Sequence, residues 1–446
     1  MPALTVTPAR GGLPLLGHAL RMRNDPLGFF ESLRDQGDIV KIKLGPQTAY
    51  VVTSAEVIRE MLVVKPREFD KGASLEQMRT VFGNGLANSD GELHRQHRLL
   101  MQPAFRRDRI AEYARLMSNE IRMVADTWTD GQKFDVSREM SALTLAVTCR
   151  AMMSSDVAGE LTTEMQHGMP FVLDVMYGRM VNPLGKALEK LPTARNRKFV
   201  KTLERLHRMA DKVVADYRRG DESERNDLLT LLLLAKDAET GTSLSDQEVH
   251  DQIMTILVAG TETTASTLSW AFHALAEHPA MESRLHAEVD EVLSGRTAEY
   301  EDLRKLPYTT QLVSETLRYY PPAWILTRRA KHDVDLSGYL IPSGTSIMFS
   351  PYVVHRDRNL YQDPDEFDPD RWSPERAGEI PREAIAHFGA GPRKCIGDVF
   401  AIVEASLALA TIAAQWRLRP TNTVKVEQSA GMTLAPQKLH MIIDKR

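Results

Sequence analysis

The sequence predicts a mainly α-helical protein with a minor β part, built as one domain around a long central helix. Three observations lead there. From about Ser54 to Leu317, apolar residues recur with the helical period, interrupted by Pro or Gly. Within that stretch one periodic run extends from Ser245 to His278. At 1.5 Å per residue it would be about 50 Å long, enough to cross the whole molecule. Alternating, strand-like patterns are confined to short segments near the two ends.

Residues up to Gly17 are rich in Pro and Gly and read as extended. Asp25 to Gln36 reads as a short helix, with Pro26 suited to its first turn. Ile39 to Val52 alternates around Gly45-Pro46, a strand, a turn and a strand. Ser245 is placed to cap the long helix, Glu248 three residues on completes a capping box, and Pro279 stops the run. Asp333 to Pro351 is strand-like, with turns at Gly338 and at Pro342-Ser343-Gly344. The acidic, Pro-rich stretch YQDPDEFDPDRWSPER has no period and reads as irregular. A glycine loop leads to Gly397, a helix runs from about Cys395 to Trp416, and Arg417 to Arg446 reads as short strands. No linker or repeat divides residues 1–446. The expected domain therefore joins a β-containing part, about residues 1–70, and C-terminal strands to the helical body.

A net charge of −4 over 446 residues gives no global field for nucleic acid. Two distant cysteines, Cys149 and Cys395, make no disulfide framework and fit a reducing cytoplasm. The N-terminal stretch lacks the ~18 apolar residues of a span and lacks signal-peptide organisation. The apolar stretches Leu228 to Ala235 and Ala405 to Trp416 are short and flanked by charge, so they read as buried helix. A soluble, cytoplasmic protein without a membrane span is expected.

The strongest chemical signal is Phe388-Gly-Ala-Gly-Pro-Arg-Lys-Cys395-Ile-Gly397, with the spacing F-x-x-G-x-R-x-C-x-G at the start of a helix. Helix N–H groups and neighbouring cations favour the thiolate that a soft metal needs. Gly391 and Gly397 would let backbone approach the sulfur. Cys149, within an apolar helical run, reads as an inert core thiol. A second signal, Ala259-Gly-Thr-Glu262-Thr263-Thr264, lies within the long helix. Gly is about 1 kcal/mol worse than Ala there. The threonines can bond back to carbonyls and distort the axis into a groove. A third, Glu315 and Arg318 in TLRYYPP, puts opposite charges on one helix face.

Together these segments resemble the cytochrome P450 superfamily, over nearly the whole chain from Pro14-Leu-Leu-Gly to the last strands. The resemblance implies the P450 fold, with the long helix crossing a haem b whose iron is bound by Cys395. That thiolate pushes electron density that favours O–O cleavage. The resemblance places Phe388 beside the haem with Gly397 closing the loop. It gives His94, Arg98, Arg328, His355 and Arg393 to the propionates, with Arg329 as an alternative to Arg328 one residue away. Charge-assisted donors suit such carboxylates. It makes Thr263 the holder of activated oxygen or its water, and Glu262 the proton relay. Glu315, Arg318 and Arg371 of FDPDRW would form a structural network around the irregular loop.

Family substrate segments fall on apolar text and point to a hydrophobic ligand. Pocket candidates are Met78, Phe82, Phe171, Met176, Leu257, Ala259, Trp324, Ile325 and Met432. GLPLLGH, DIVKIKLGP, HRQHRLLMQPAFR and PPAWILTRRA resemble actinomycete sesquiterpene oxidases of the pentalenene oxygenase type. The expectation is a monomeric monooxygenase that takes O2 and a terpenoid. Fatty acids are the alternative substrate, with Arg79 or Arg179 as the cation at the pocket mouth. No reductase domain or dinucleotide fingerprint follows the cysteine helix. Electrons would come from a ferredoxin and its reductase, docked near Arg106, Arg107, Arg109 and Lys394.

Three other functions remain open on the residues. A haem-based sensor would share Cys395 without needing Glu262 and Thr263. Enzymes driven by peroxide would dispense with the same pair. A terpene cyclase would need clustered carboxylates for Mg²⁺; Asn226-Asp227-Leu-Leu-Thr230 matches only the front of such a motif, with Leu234 where the later Glu would stand.

Overall fold

The computed structural model describes residues 4–153, 157–182, 185, 189, 191–219, 227–236, 241–421 and 425–446. The helical body is built from α1 (Pro26–Arg34), α2 (Gly91–Met101), α3 (Arg107–Ala125), α4 (Val136–Met152) and α5 (Val157–Val181). It continues with α6 (Ala194–Arg219), α7 (Asp246–Glu277), α8 (Pro279–Leu293), α9 (Pro307–Tyr319) and α10 (Asp398–Gln415).

The local text explains the decisive boundaries. Asp25 accepts the Gly28 N–H and Pro26 opens α1. At α7, Ser245 accepts the Glu248 N–H while the Glu248 carboxylate accepts the Ser245 N–H, so two orphan donors are satisfied reciprocally. Pro279 forces the chain into α8 just beyond its end. The helix α7 runs uninterrupted, packed by α4, α6, α9 and α10. Most of its residues are buried on every side, as expected of a helix through the middle of a core. The apolar helix α10 is long enough by composition to cross a membrane, but its residues are mostly buried within the protein.

Short strands form a six-stranded sheet in the order β1-β2-β3-β9-β6-β4. They are β1 (Thr7–Pro8), β2 (Ile39–Leu44), β3 (Gln47–Val52), β4 (Phe69–Asp70), β6 (Leu326–Ala330) and β9 (Ser346–Phe349). Separate pairings join β5 (Lys133–Asp135), β10 (Trp416–Pro420) and β13 (His440–Lys445), then β7 (Val334–Leu336) with β8 (Tyr339–Ile341), and β11 (Glu427–Ala430) with β12 (Leu434–Gln437). Residues 361–376 contain only one short 3-10 turn, in keeping with their lack of period.

Candidate active site

The middle of α7 breaks its own burial pattern. Leu257, Val258, Thr264 and Ala265 are buried, but Ala259 is exposed, and Ile256, Gly260, Glu262 and Thr263 are half-exposed. Residues 256, 259, 260 and 263 share one face by helical spacing. An apolar face left open inside a core helix is a cradle for a flat apolar group. The Thr263 hydroxyl donates to the Ala259 carbonyl at 2.7 Å, and Thr144 of α4 donates to the Thr261 carbonyl at 3.1 Å. The expected distortion therefore does not break the helix; hydroxyls instead take up carbonyls on the open turn. Gly260 has a packing reason as well, since a Cβ there would meet the Thr148 hydroxyl at 3.3 Å. Burial pushes the pKa of Glu262 up, so its carboxyl holds its proton more readily than a surface glutamate.

Cys395 is also exposed. Its N–H donates to the Phe388 carbonyl at 2.9 Å, closing the loop in front of α10. Gly391 has φ +69°, and a Cβ there would lie 2.0 Å from the Leu62 carbonyl oxygen. Its glycine is thus required by the segment behind the loop rather than by approach to the sulfur. Gly397 caps α10, has φ −94°, and has room for a Cβ. Desolvation by the surrounding loop pushes the Cys395 thiol up, while the Gly397 N–H, Arg98 and Lys394 pull it down. The backbone N–H and the two cations thus act on the sulfur in the direction the sequence predicts, against desolvation, and a coordinated metal cation would add to their pull. Burial raises Cys149 to about 12, so it stays a thiol.

Around the cysteine loop lies a concentration of basic residues, with Arg328 buried and Arg98 and Arg393 half-buried. Arg328 is buried, donates to its neighbouring Thr327 carbonyl at 2.7 Å, and is lowered to about 10 by desolvation and then by Arg393. Arg393 donates to the carbonyls of Pro66 and Phe69 and pairs with Asp90. Arg98 donates to the Lys394 carbonyl at 2.6 Å. His94 is buried and held neutral, pushed down to about 3 by desolvation and by Lys71, Arg393 and Arg98. Asp90 is the countercharge common to Lys71, His94, Arg328 and Arg393. Such a cluster has the chemistry to hold carboxylates. Arg329 faces elsewhere, paired with Asp70 at 2.8 Å and Glu76 at 2.6 Å.

His355 does not join that cluster. It is fully buried, its Nδ1 contacts the Arg318 carbonyl at 3.0 Å and its Nε2 takes the Ala386 N–H at 3.3 Å. Both nitrogens are committed to backbone, which leaves no N–H for a propionate. Its role is to hold the chain near the cysteine loop.

Glu315, Arg318 and Arg371 meet in the core. The Glu315 carboxylate accepts Arg318 Nε at 2.9 Å and Nη2 at 2.7 Å, the Asp368 N–H at 2.8 Å and Trp372 Nε1 at 2.9 Å. Arg318 also donates to the carbonyls of His355, Pro364 and Glu366, each at 2.8 Å. Arg371 lies 3.6 Å from Glu315 and donates to the carbonyls of Gln362 and Asp363. These bonds account for an ordered loop without secondary structure.

Several pocket candidates are placed in packing instead. Leu257 is buried, and at about 100° per residue it stands about 200° from Ala259, so both cannot face one cavity. Ile256 occupies the open face in its place. Met78, Phe82 and Met176 are buried in the main core. Trp324 is buried against Phe30, and its Nε1 donates to the Gly431 carbonyl at 2.8 Å. Phe171 carries the Lys198 ammonium 4.5 Å from its ring centre. Ile325 and Met432 are half-buried, as a lining requires. Arg179 stacks on Phe199 and pairs with Glu189, so it is engaged within the protein; Arg79 is exposed. Of the cyclase-like motif, Asn226 lies outside the described residues, and Asp227 caps a short helix and accepts the Tyr217 hydroxyl at 2.5 Å. On the basic face, Arg109 and Lys394 pair with Glu112 and Asp398, and Arg106 approaches Asp108.

Two groups escaped the sequence reading. Lys71 is buried, donates to the carbonyls of Leu86 and Ala87 at 2.7 Å, and is lowered to about 7 by desolvation, against the pull of Asp90. Glu404 of α10 is fully buried, with neither carboxyl oxygen hydrogen-bonded among the described residues and Thr264 nearby. Burial raises its pKa well above 4.5. Folding therefore takes up a proton, and stability falls as pH rises from the unfolded value toward the folded one. The Glu404→Gln protein should match the parent in thermal melts near pH 5 and exceed it near pH 8. A pH-independent difference would count against this reading.

Comparison with known proteins agrees with the geometry. The family model "Cytochrome P450" matches residues 8–443. The chain is 46% identical over 441 residues to cyclooctatin synthase of Streptomyces melanosporofaciens, covering 99% of this chain and 96% of that protein. It is 43% identical to cyclooctat-9-en-7-ol 5-monooxygenase of the same organism, covering 93% and 90%. It is 41% identical to pentalenene oxygenase of Streptomyces avermitilis, covering 98% and 97%. An open face on the central helix, a cysteine loop, a cation cluster and a match across the whole fold lead to one conclusion: this chain belongs to the cytochrome P450 family.

Proposed function

We propose that the protein is a monooxygenase inserting one oxygen atom from O2 into a terpenoid, with a haem b held through Cys395. The observation that carries this reading is the open face of Ile256, Ala259, Gly260 and Thr263 on a buried helix, together with exposed Cys395 and the basic cluster around buried Arg328. The relatives named for cyclooctat-9-en-7-ol and pentalenene support a terpenoid over a fatty acid.

Haem bound through the thiolate supplies the activation of dioxygen. The chain's own residues do the rest. Arg328, Arg98, His94, Arg393 and Lys71 are the donors toward the propionates, and Phe388 and Gly397 flank the sulfur. The apolar faces of Ile256, Ala259, Ile325 and Met432 exclude water and orient a hydrocarbon without polar handles. Glu262, with its raised pKa, holds a proton at its carboxyl, and Thr263 offers its oxygen lone pairs while its O–H donates to the Ala259 carbonyl. Electrons come from a ferredoxin and its reductase at the basic face, and the enzyme works as a cytoplasmic monomer.

The test is a spectral titration of the ferric holoenzyme with sesquiterpenes, diterpenes and fatty acids. A Soret shift with terpenoids is expected; a shift only with fatty acids would reassign the substrate. In Thr263→Ala, oxygen uptake should continue while hydrogen peroxide replaces product, at a cost in coupling of about tenfold or more. Unchanged product per O2 consumed would remove Thr263 from the proton path.

A further inference from the structure

The chain breaks two local rules at one surface residue. Leu15 is 95% exposed and sits at φ +63°. A large apolar side chain gains nothing from either condition in water. Around it Leu13, Leu16 and Leu20 are also exposed, at 50%, 44% and 41%.

The presentation is rigid. Leu13 and Gly17 exchange two backbone hydrogen bonds of 2.8 Å, which puts Leu15 at the tip of a tight loop. His18 donates to the Lys43 carbonyl at 2.6 Å and Gly45 to the Leu16 carbonyl at 3.0 Å, fastening the loop to β2. Gly17 has φ +58°, and a Cβ there would lie 2.3 Å from the Lys43 carbonyl oxygen, so the loop is pressed against the strand. The leucines are held out by a built support.

Along the chain, the charges up to Asn24 have one sign. The first 24 residues include Arg10, Arg21 and Arg23 and no Asp or Glu, in a chain of net charge −4. All three arginines are exposed, and none is ion-paired among the described residues. Arg21 lies against the loop, close to Gly11. A second copy of the chain would bring the same arginines and leucines to the contact, with cation set against cation if the two loops met. Apolar tips beside unpaired cations match an anionic lipid surface, whose acyl boundary takes the leucines while its phosphates meet the arginines.

We propose that the Leu13–Leu20 loop docks the protein peripherally on anionic bilayers. The inference does not depend on which substrate the site takes.

The test is co-sedimentation of the full chain, as holoenzyme, with vesicles of phosphatidylglycerol and phosphatidylcholine, and with phosphatidylcholine alone. Binding to the anionic vesicles, weakened by salt, is expected. Combined Leu13→Glu, Leu15→Glu and Leu16→Glu should lower the partition coefficient at least about tenfold. Arg10→Glu with Arg23→Glu should abolish the preference for anionic lipid. Leu15→Gly supplies a milder variant: relief of the left-handed backbone offsets the added freedom of the unfolded chain, so its melting temperature should stay near the parent's while vesicle binding falls. The proposal is overturned if the wild-type protein pellets with neither vesicle, or if the leucine variants bind as well as the parent. It is equally overturned if the loop instead drives a concentration-dependent dimer that the same substitutions dissolve.

Discussion

The Cys395→Ser protein is expected to keep its fold and lose its chemistry. Nothing in the loop's architecture depends on the sulfur. The Cys395 N–H is held by the Phe388 carbonyl and the Lys394 N–H by that of Gly391, and Gly391 itself is wedged against Leu62. A serine hydroxyl accepts the Gly397 N–H much as the sulfur does. It cannot supply a soft anionic ligand near neutral pH. The stability of the chain without haem should therefore change by about 0.5 kcal/mol or less, as for an exposed position. The reduced carbon monoxide complex should lose the red-shifted Soret band of thiolate ligation, and turnover should fall below detection. Circular dichroism and the carbon monoxide difference spectrum measure the two halves separately. A serine variant that retains both band and turnover would remove Cys395 from the site.

The Arg318→Ala protein should fail in the opposite way, losing the fold before any chemistry can be asked of it. All five N–H donors of this guanidinium are used, and both Arg318 and Glu315 are fully buried. Removing one partner of a buried pair costs about 3–5 kcal/mol. Three carbonyls, of His355, Pro364 and Glu366, lose their donor at the same time. Each orphaned group adds about 1–3 kcal/mol where water cannot reach it. That sum is comparable to the whole stability of about 5–15 kcal/mol of an ordinary domain. Soluble yield and urea unfolding of the Arg318→Ala chain should collapse, and Arg318→Lys should not rescue them. An ammonium cannot span Glu315 and three separate carbonyls. An unfolding free energy within about 1 kcal/mol of the parent's would refute this account.

These two sites were legible in the sequence because their signals are local or have fixed spacing. The limits of α7 follow from Ser245, Glu248 and Pro279, which act on their own neighbours. The cysteine loop carries its residues at set intervals. What was not legible depended on phase or burial. Substituting Leu257 for Ile256 is an error of one residue, but one residue turns a helix by about 100° and exchanges the open face for the core. Arg328 and Arg329 are adjacent on β6, and alternation sends them to opposite sides; which side is inner became clear only once β6 had paired with β9 and β4. His355 has the chemistry of a propionate donor, but the neighbouring chain uses both of its nitrogens. No motif or spacing singles out Lys71 and Glu404 in the sequence. Only tertiary packing removes them from water, and no spacing announces that.

The network under Arg318 can be seen as the coordination sphere of an ion. One fixed positive centre gathers three backbone carbonyl oxygens and both oxygens of a carboxylate, an all-oxygen set of the kind that loops elsewhere offer to calcium. Here the cation is covalently part of α9. It needs no supply from solution, cannot be exchanged or chelated, and does not dissociate when acid strips a metal from its ligands. The irregular stretch thus gains the order of a metal-bound loop without its dependence on ionic conditions, so strong chelators should leave it intact.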